Sequence, residues 1–373
     1  MKKGIKQYLI ASSILIGSCI GAGVLGIPYI AAQAGFFVVL MYIFLIGFLI
    51  YTVNSFLGEV ILRTKGDHQL IGYVERYLGL KARHVMEFAF VFGAYAAMIA
   101  YMLGMGKSLS FLIFGNTSYE LIFGIFIGFI FSYLIYGGVK SLKKFEKIGV
   151  FIVLILLLVI VAIFLPEVVL NNLLGFDKMN VLLPFGVVLF ALMSFDVLPE
   201  VKIVLKRREK LFRKVLLTGT LTSMIFYIIF TFVVLGSQGQ NTPEVATLSL
   251  GGIFIVLGMF TMFTSYLTKG NALSESFQFD ERYSKKTSWL LASFVPIGIF
   301  VLTQLTDFFS FTRILSLGGV VSGGIIAVLS LLMVNKAKVK GNRKPEYEIK
   351  SHLWVLAILI LIFVFGAIRE LLI

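Results

Sequence analysis

The stretch Gly17-Ser18-Cys19-Ile20-Gly21-Ala22-Gly23, continued by Val24-Leu25-Gly26-Ile27-Pro28-Tyr29, constrains this chain more than any other. It lies inside an apolar run from Ile5 to Ala34, long enough to cross a bilayer. Three glycines so close together weaken a helix where no water can repair the freed backbone. Irregular backbone at that depth is tolerated only where it lines a cavity or is buried in protein. A helix broken there presents amide hydrogens from one half and carbonyl oxygens from the other, groups suited to a carboxylate and a cation. The same residues also suit close helix packing, and Gly17 and Gly21 have the small-xxx-small spacing.

Composition puts the rest of the chain in the same environment. Of 373 residues, 59% are hydrophobic and only 14% charged, with 37 phenylalanines, far too little polar surface for a soluble domain of this size. Lys2, Lys3 and Lys6 run straight into a segment too long and too glycine-rich for a cleaved signal, so none is expected. Cys19 is the single cysteine, which excludes an intramolecular disulfide.

Eleven apolar segments follow one another: Leu9–Ala34, Phe36–Leu62, Val85–Phe114, Leu121–Tyr136, Ile148–Leu165, Val181–Val201, Val215–Gly236, Gly252–Leu267, Trp289–Leu302, Ile314–Val334 and Leu353–Ile368. With the amino terminus in the cytoplasm, 29 of the 33 lysines and arginines fall on inside segments, Lys269–Lys286 among them. Missing or inventing one helix would erase that bias. The net charge of +14 is therefore topological signal and anionic-lipid contact, with no nucleic-acid partner expected. Eleven crossings place the carboxyl end outside a cell membrane.

The sixth segment carries an interruption of its own, in Phe190-Ala191-Leu192-Met193-Ser194-Phe195-Asp196-Val197-Leu198-Pro199-Glu200. Five helices separate the two breaks, so helices one to five and six to ten read as inverted copies, about residues 5–166 and 181–335. Residues 1–335 would form one transport domain, and 336–373 a cytoplasmic loop with the eleventh helix. The connectors Gln69–Leu78, which is amphipathic, and Thr242–Leu250 occupy equivalent places in the two halves, or are ordinary surface helices.

The run Ile16–Tyr29 with Ala34-Gly35-Phe36 resembles the first helix of amino-acid permeases. It is most similar to the amino acid/auxin and aromatic amino-acid permease branches of the amino acid–polyamine–organocation superfamily. Tyr73-Val74-Glu75-Arg76-Tyr77-Leu78-Gly79 is similar to their first cytoplasmic loop, Ser194–Glu200 resembles the sixth helix and Thr264-Ser265-Tyr266-Leu267 the eighth. The resemblance implies an all-α membrane protein with a leucine-transporter-like fold of two inverted five-helix repeats plus one extra helix. It also implies ion-driven uptake of an amino acid rather than enzymatic activity.

On that reading the amides of Gly21, Ala22 and Gly23 hold the substrate carboxylate, since no bulky side chain blocks approach to them. Carbonyls of Ser18 and Cys19, with Phe190 or Ala191, accept its ammonium. Ser194 and Asp196 either cap the second half-helix or, for Asp196, carry a proton or touch substrate. Tyr95 is expected to face helices one and six, and Tyr101 lies on the same helix. Glu59 and Arg63 are spaced as a helix-face pair. Phe190, Met193 and Phe195 leave the pocket apolar, so the substrate expected is a neutral, aromatic or hydrophobic amino acid.

A sodium site is expected from the hydroxyls of Thr261, Thr264 and Ser265 with backbone of Gly17 and Ile20, unless those hydroxyls only bond their own helix. Proton-coupled relatives replace that ion with a lysine from helix five. Alignment on Gly138 and Glu146 places Val153 there, with Lys147 nearer the cytoplasm, so sodium is favoured over protons and no other cofactor is expected. The chain lacks the HExxH of a membrane protease and the Asp-Pro-Gly and Met-Pro-His of divalent-metal carriers. A non-transporting amino-acid sensor, or a carrier of another small solute, is the rival reading. A monomer and a homodimer stay equally open.

Overall fold

The structure, a computed structural model, describes residues 2–137, 142–279, 281–306 and 309–372. Gly138 and Lys140, and the side chains of Glu146 and Lys147, lie outside the described residues. All regular structure described is helical. In chain order the helices are α1 (Lys2–Cys19), α2 (Ala22–Ala34), α3 (Phe36–Leu62), α4 (Leu70–Leu78), α5 (Leu80–Phe114), α6 (Glu120–Gly137) and α7 (Leu142–Phe164). There follow α8 (Pro184–Leu192), α9 (Leu198–Val204), α10 (Phe212–Gln238), α11 (Gly252–Phe279), α12 (Lys285–Leu305), α13 (Phe311–Leu317), α14 (Gly324–Lys340) and α15 (Leu353–Leu372).

Among the described residues, eight helices are long and apolar enough to cross a membrane, nine if α1 and α2 count as one bent span. Their outward faces carry largely exposed aromatics, such as Phe48 at 71% and Phe365 at 69% exposure. Patches of that size are untenable in water and ordinary in lipid. The chain is a multi-pass membrane protein.

The first interruption falls where the glycines predict it. α1 stops at Cys19, Ile20 and Gly21 leave the helix, and α2 departs at 50°. The second is longer: α8 ends at Leu192, a single 3-10 turn spans Phe195–Val197, and α9 restarts with Pro199 in its first turn. Pro costs nothing there, because first-turn amides have no partner inside the helix. The two broken helices lie against each other, with α2 on α8 and α1 on α9, and α10 packs along α1 and α2. Contact between α2 and α8 is very close, since a Cβ on Gly23 would sit 2.7 Å from the Cα of Ala191. Across α8 runs a π-helical stretch, Gly318–Gly323, that joins α13 to α14.

Several boundaries differ from expectation for one reason: polar residues do not end a membrane helix when they face protein. α11 runs on past Leu267 through Thr268-Lys269-Gly270-Asn271 to Phe279, so Lys269 belongs to a helix and not to a loop. α14 likewise continues to Lys340, beyond residue 336. The amphipathic stretch after α3 is helix α4, whereas Thr242–Leu250 contains only a 3-10 turn, Ala246–Ser249. Glu59 and Arg63 do pair, at 2.9 Å, and Glu59 also accepts the Ile349 amide at 2.8 Å. That bond ties the extended segment 341–352 across the end of α3.

Candidate functional site

The site forms where backbone order fails. At the end of α1 the last carbonyls lack helical partners, and at the start of α2 the first amides do. Gly21 is extended (φ −129°, ψ −142°), which turns the two half-helix ends toward a common space. A cavity opens beside them, lined by Gly17, Ser18 and Ile20 of the first break and Asp196 and Val197 of the second. Tyr101 of α5, Val153 of α7, and Phe260, Thr261, Thr264, Ser265, Thr268 and Lys269 of α11 complete it. It offers about 60 Å³ to the centres of water molecules. That is room for a few waters.

Lys269 supplies the charge that sequence reasoning missed. Its ammonium donates to the Asp196 carboxylate, each side chain only a quarter exposed. An intramembrane ion pair survives because each charge removes the other's desolvation cost. The pair also borders a second, smaller cavity, lined by Phe90, Gly93, Ala94, Met193, Phe195, Ser322 and Ile326. Asp196 is therefore engaged with α11, and neither it nor Ser194 caps α9. Ser194 instead accepts from the Asn54 amide of α3 at 3.0 Å. The one legible signal for Lys269 was its spacing, four residues beyond Ser265 and so on the same helix face.

All five residues expected at a sodium ion line this cavity: Gly17, Ile20, Thr261, Thr264 and Ser265. Thr261 and Thr264 donate their hydroxyl hydrogens to the carbonyls of Gly258 (2.8 Å) and Thr261 (3.0 Å), in the own-helix manner. Val153 lies in the same wall without a charge, while Lys269 brings an ammonium from a different helix.

The expected substrate residues divide. Ser18 lines the cavity, and Gly21 stands at its edge, where an added Cβ would meet the Tyr101 hydroxyl at 3.1 Å and Ser265 Oγ at 3.4 Å. Cys19, Ala22, Gly23, Phe190, Ala191 and Ser194 are buried and outside that lining, with Gly23 against Ala191 where α2 meets α8. Tyr95 points elsewhere, its hydroxyl donating to the Leu291 carbonyl of α12 at 2.9 Å. Tyr101 takes the place expected of it, because six residues along a helix rotate a side chain by roughly 120°.

The far ends of the helices carry another largely buried ion pair. Glu244, in the loop before α11, accepts from Lys107 of α5 at 2.9 Å and from Thr312 of α13 at 3.1 Å. Burial pushes its carboxyl up, but Lys107 and the hydroxyls of Ser310 and Thr312 outweigh that and hold it below the usual carboxylate range.

A family model described as the tryptophan/tyrosine permease family matches residues 5–247. Tyrosine-specific transport system 1 of Haemophilus influenzae (strain ATCC 51907 / DSM 11121 / KW20 / Rd) is 26% identical over 239 residues. That match covers 62% of this chain and spans 58% of the length of the relative. The crystal structure of MhsT in complex with L-phenylalanine superposes with a TM-score of 0.72 at 14% identity, covering 97% of this chain and 98% of that one. The fold is the one MhsT has.

Proposed function

We propose that this chain, which belongs to the tryptophan/tyrosine permease family, carries an aromatic amino acid across a membrane, driven by a cation gradient. The observation that supports this most is the meeting of two interrupted helices beside one cavity that holds an ion pair. Opposed helix ends match a zwitterion, and a neutral solute has no use for them. The relative's tyrosine specificity and the phenylalanine bound to MhsT narrow the class to aromatic side chains.

The finer architecture follows from the same reading. The apolar helix Phe151–Glu167 and the pair α8 and α9 add two crossings to the nine, giving eleven. The two breaks, five crossings apart, are related as inverted repeats within residues 1–335. The basic segments face the cytoplasm, and Glu244 then lies on the outer side.

Protons are the coupling ion we favour. The preference for sodium rested on the lack of a fixed positive charge, and Lys269 brings one into the cavity that holds Thr261, Thr264 and Ser265. Paired with Asp196, that ammonium leaves the cavity without the net negative charge that would draw in a second cation. Sodium is the second reading, because all five residues expected to bind it share that lining.

The test is uptake of labelled L-tyrosine, L-tryptophan and L-phenylalanine into proteoliposomes, under a proton gradient or a sodium gradient with pH clamped. Accumulation that follows the proton gradient is expected. Accumulation that follows sodium alone overturns the coupling proposal. Binding of an amino acid without accumulation under either gradient identifies a sensor instead.

A further inference from the structure

The loop between α9 and α10 reads Leu205-Lys206-Arg207-Arg208-Glu209-Lys210-Leu211, and Arg213 and Lys214 stand in the first turn of α10 behind it. Six of the nine residues from 206 to 214 are basic and one is acidic. The acid is turned away from its neighbours: Glu209 is 19% exposed and faces Arg343 of the segment 341–352, 3.7 Å away. Lys206, Arg207, Arg208, Lys210 and Lys214 are exposed, and among the described residues none of them pairs with a carboxylate. Like charges crowded into so short a stretch repel, and a bound anion relieves that. At the centre of the run Arg207 has left-handed backbone (φ 69°), which is costly for a residue with a Cβ.

This charge lies over one end of α1. An added Cβ on Gly4 would stand 3.3 Å from Arg208 Nη1, so the guanidinium crosses the first turn of that helix. Gln7 donates its side-chain amide to the carbonyls of Val204 at 3.0 Å and Lys206 at 3.3 Å. Beside it Lys6 is exposed and likewise without a carboxylate among the described residues.

Next to the cations the surface turns apolar. Tyr8 of α1 and Thr218 of α10 share a hydrogen bond at 2.5 Å, which sets the two helices side by side. Around that bond Ile5 and Leu9 on α1 and Leu217 and Leu221 on α10 are 44–57% exposed. Lys214 precedes Thr218 by one turn and so lies on the same face of α10. Unneutralised cations that border exposed aliphatic side chains suit a molecule with a phosphate at one end and hydrocarbon at the other. A soluble acidic partner has use for the first and none for the second.

We propose that the groove between α1 and α10 is a discrete site for one anionic phospholipid. Its phosphate lies among Lys6, Arg208 and Lys214, and its acyl chains run along the aliphatic side chains beside Tyr8 and Thr218. Gln7 already ties α1 to the end of α9, so the head group adds charge-assisted bonds where one half of each broken helix meets the other.

The experiment titrates purified protein in neutral detergent with dioleoyl-phosphatidylglycerol or dioleoyl-phosphatidylcholine and follows the unfolding temperature. Phosphatidylglycerol is expected to raise it saturably, and phosphatidylcholine to leave it unchanged. Arg208→Gln with Lys214→Gln should raise the half-saturating fraction of phosphatidylglycerol about 10- to 30-fold, each cation being worth about fivefold. Lys336→Gln with Lys344→Gln removes the same charge from another basic segment and should change it less than about twofold. Equal losses in the two variants would reduce the effect to net charge and overturn the site. An equal response of the wild type to phosphatidylcholine overturns it as well. Inorganic phosphate that reproduces the shift at a similar concentration would assign the cations to a soluble anion and reject the lipid. Should the double variant not fold, Arg208→Gln alone is expected to weaken binding about fivefold, and a wild-type value there rejects the proposal.

Discussion

The two interruptions are built differently. Between α1 and α2 the break is two residues long and made of backbone, with Gly21 extended and no charged group of its own. Between α8 and α9 it is five residues long, and its exposed polar groups are met by side chains of other helices. Asp196 meets Lys269 of α11, Ser194 meets Asn54 of α3 and Ala191 O meets Tyr227 of α10. The short break needs only one group from outside, the Tyr227 hydroxyl on Cys19 O. A long one frees more backbone than it can satisfy, and in hydrocarbon the remainder must be met by neighbouring helices. The position of the first break is thus a local property of the chain, whereas the second is a collective one.

If the breaks are pressed together at Gly23 and Ala191, bulk at Gly23 should have the largest effect. Gly23→Leu is expected to abolish uptake and also to lower the yield of folded protein, because the added carbons meet backbone and not a movable side chain. Gly23→Ala should destabilise by about 1–3 kcal/mol, and Ala191→Gly in the same chain should restore part of that. Thermal unfolding in detergent checks the pair. Full stability in Gly23→Ala alone would show that the helices are not in contact there.

The charged support of the second break is probed next. Asp196→Asn and Lys269→Met should each stop uptake. Together they should be more stable than the two separate losses predict, with a coupling of about 1–3 kcal/mol, since either change alone strands a charge. Additive losses in a double-mutant cycle would break the claim that the pair acts as one unit.

A smaller effect is expected where ionisation is not tied to either break. The Glu244 carboxyl is held below its usual value, so it adds stability above the unfolded value and loses it as pH falls through the folded one. Glu244→Gln should therefore cost about 1 kcal/mol at neutral pH. The deficit should shrink as pH falls below the ordinary glutamate range, until wild type and variant unfold at the same temperature. A deficit independent of pH would show that the contact with Lys107 is not ionic.

How far the site could be read follows from this contrast. Gly17, Gly21 and Gly23 mark the first break, because a chain in lipid has few reasons to place three glycines there. Pro199, behind Ser194 and Asp196, marks the second. Neither signal says which helices close around them. Tyr95 and Tyr101 differ by only six positions on α5, and which one faces the cavity depends on the rotation of that helix in the bundle. Lys269 has the composition of a loop, following the apolar run that ends at Leu267, and it becomes a site residue only because α11 continues. Tyr227 stands in a run of aromatic and aliphatic residues, with nothing nearby to distinguish it from a core tyrosine.

By itself the sequence determined membrane residence, the succession of apolar segments, the position of the first break and the paired interruption after Phe190. These are one-dimensional properties: burial of apolar length in lipid, and the local weakness of a glycine-rich helix. Only the tertiary structure decided which carboxylate meets which ammonium, which tyrosine reaches the cavity and which hydroxyl joins the two breaks. The partners are 73 residues apart for Asp196 and Lys269 and 208 for Tyr227 and Cys19. At such separations contact depends on how whole helices pack and rotate against one another, and no local pattern in the chain encodes that.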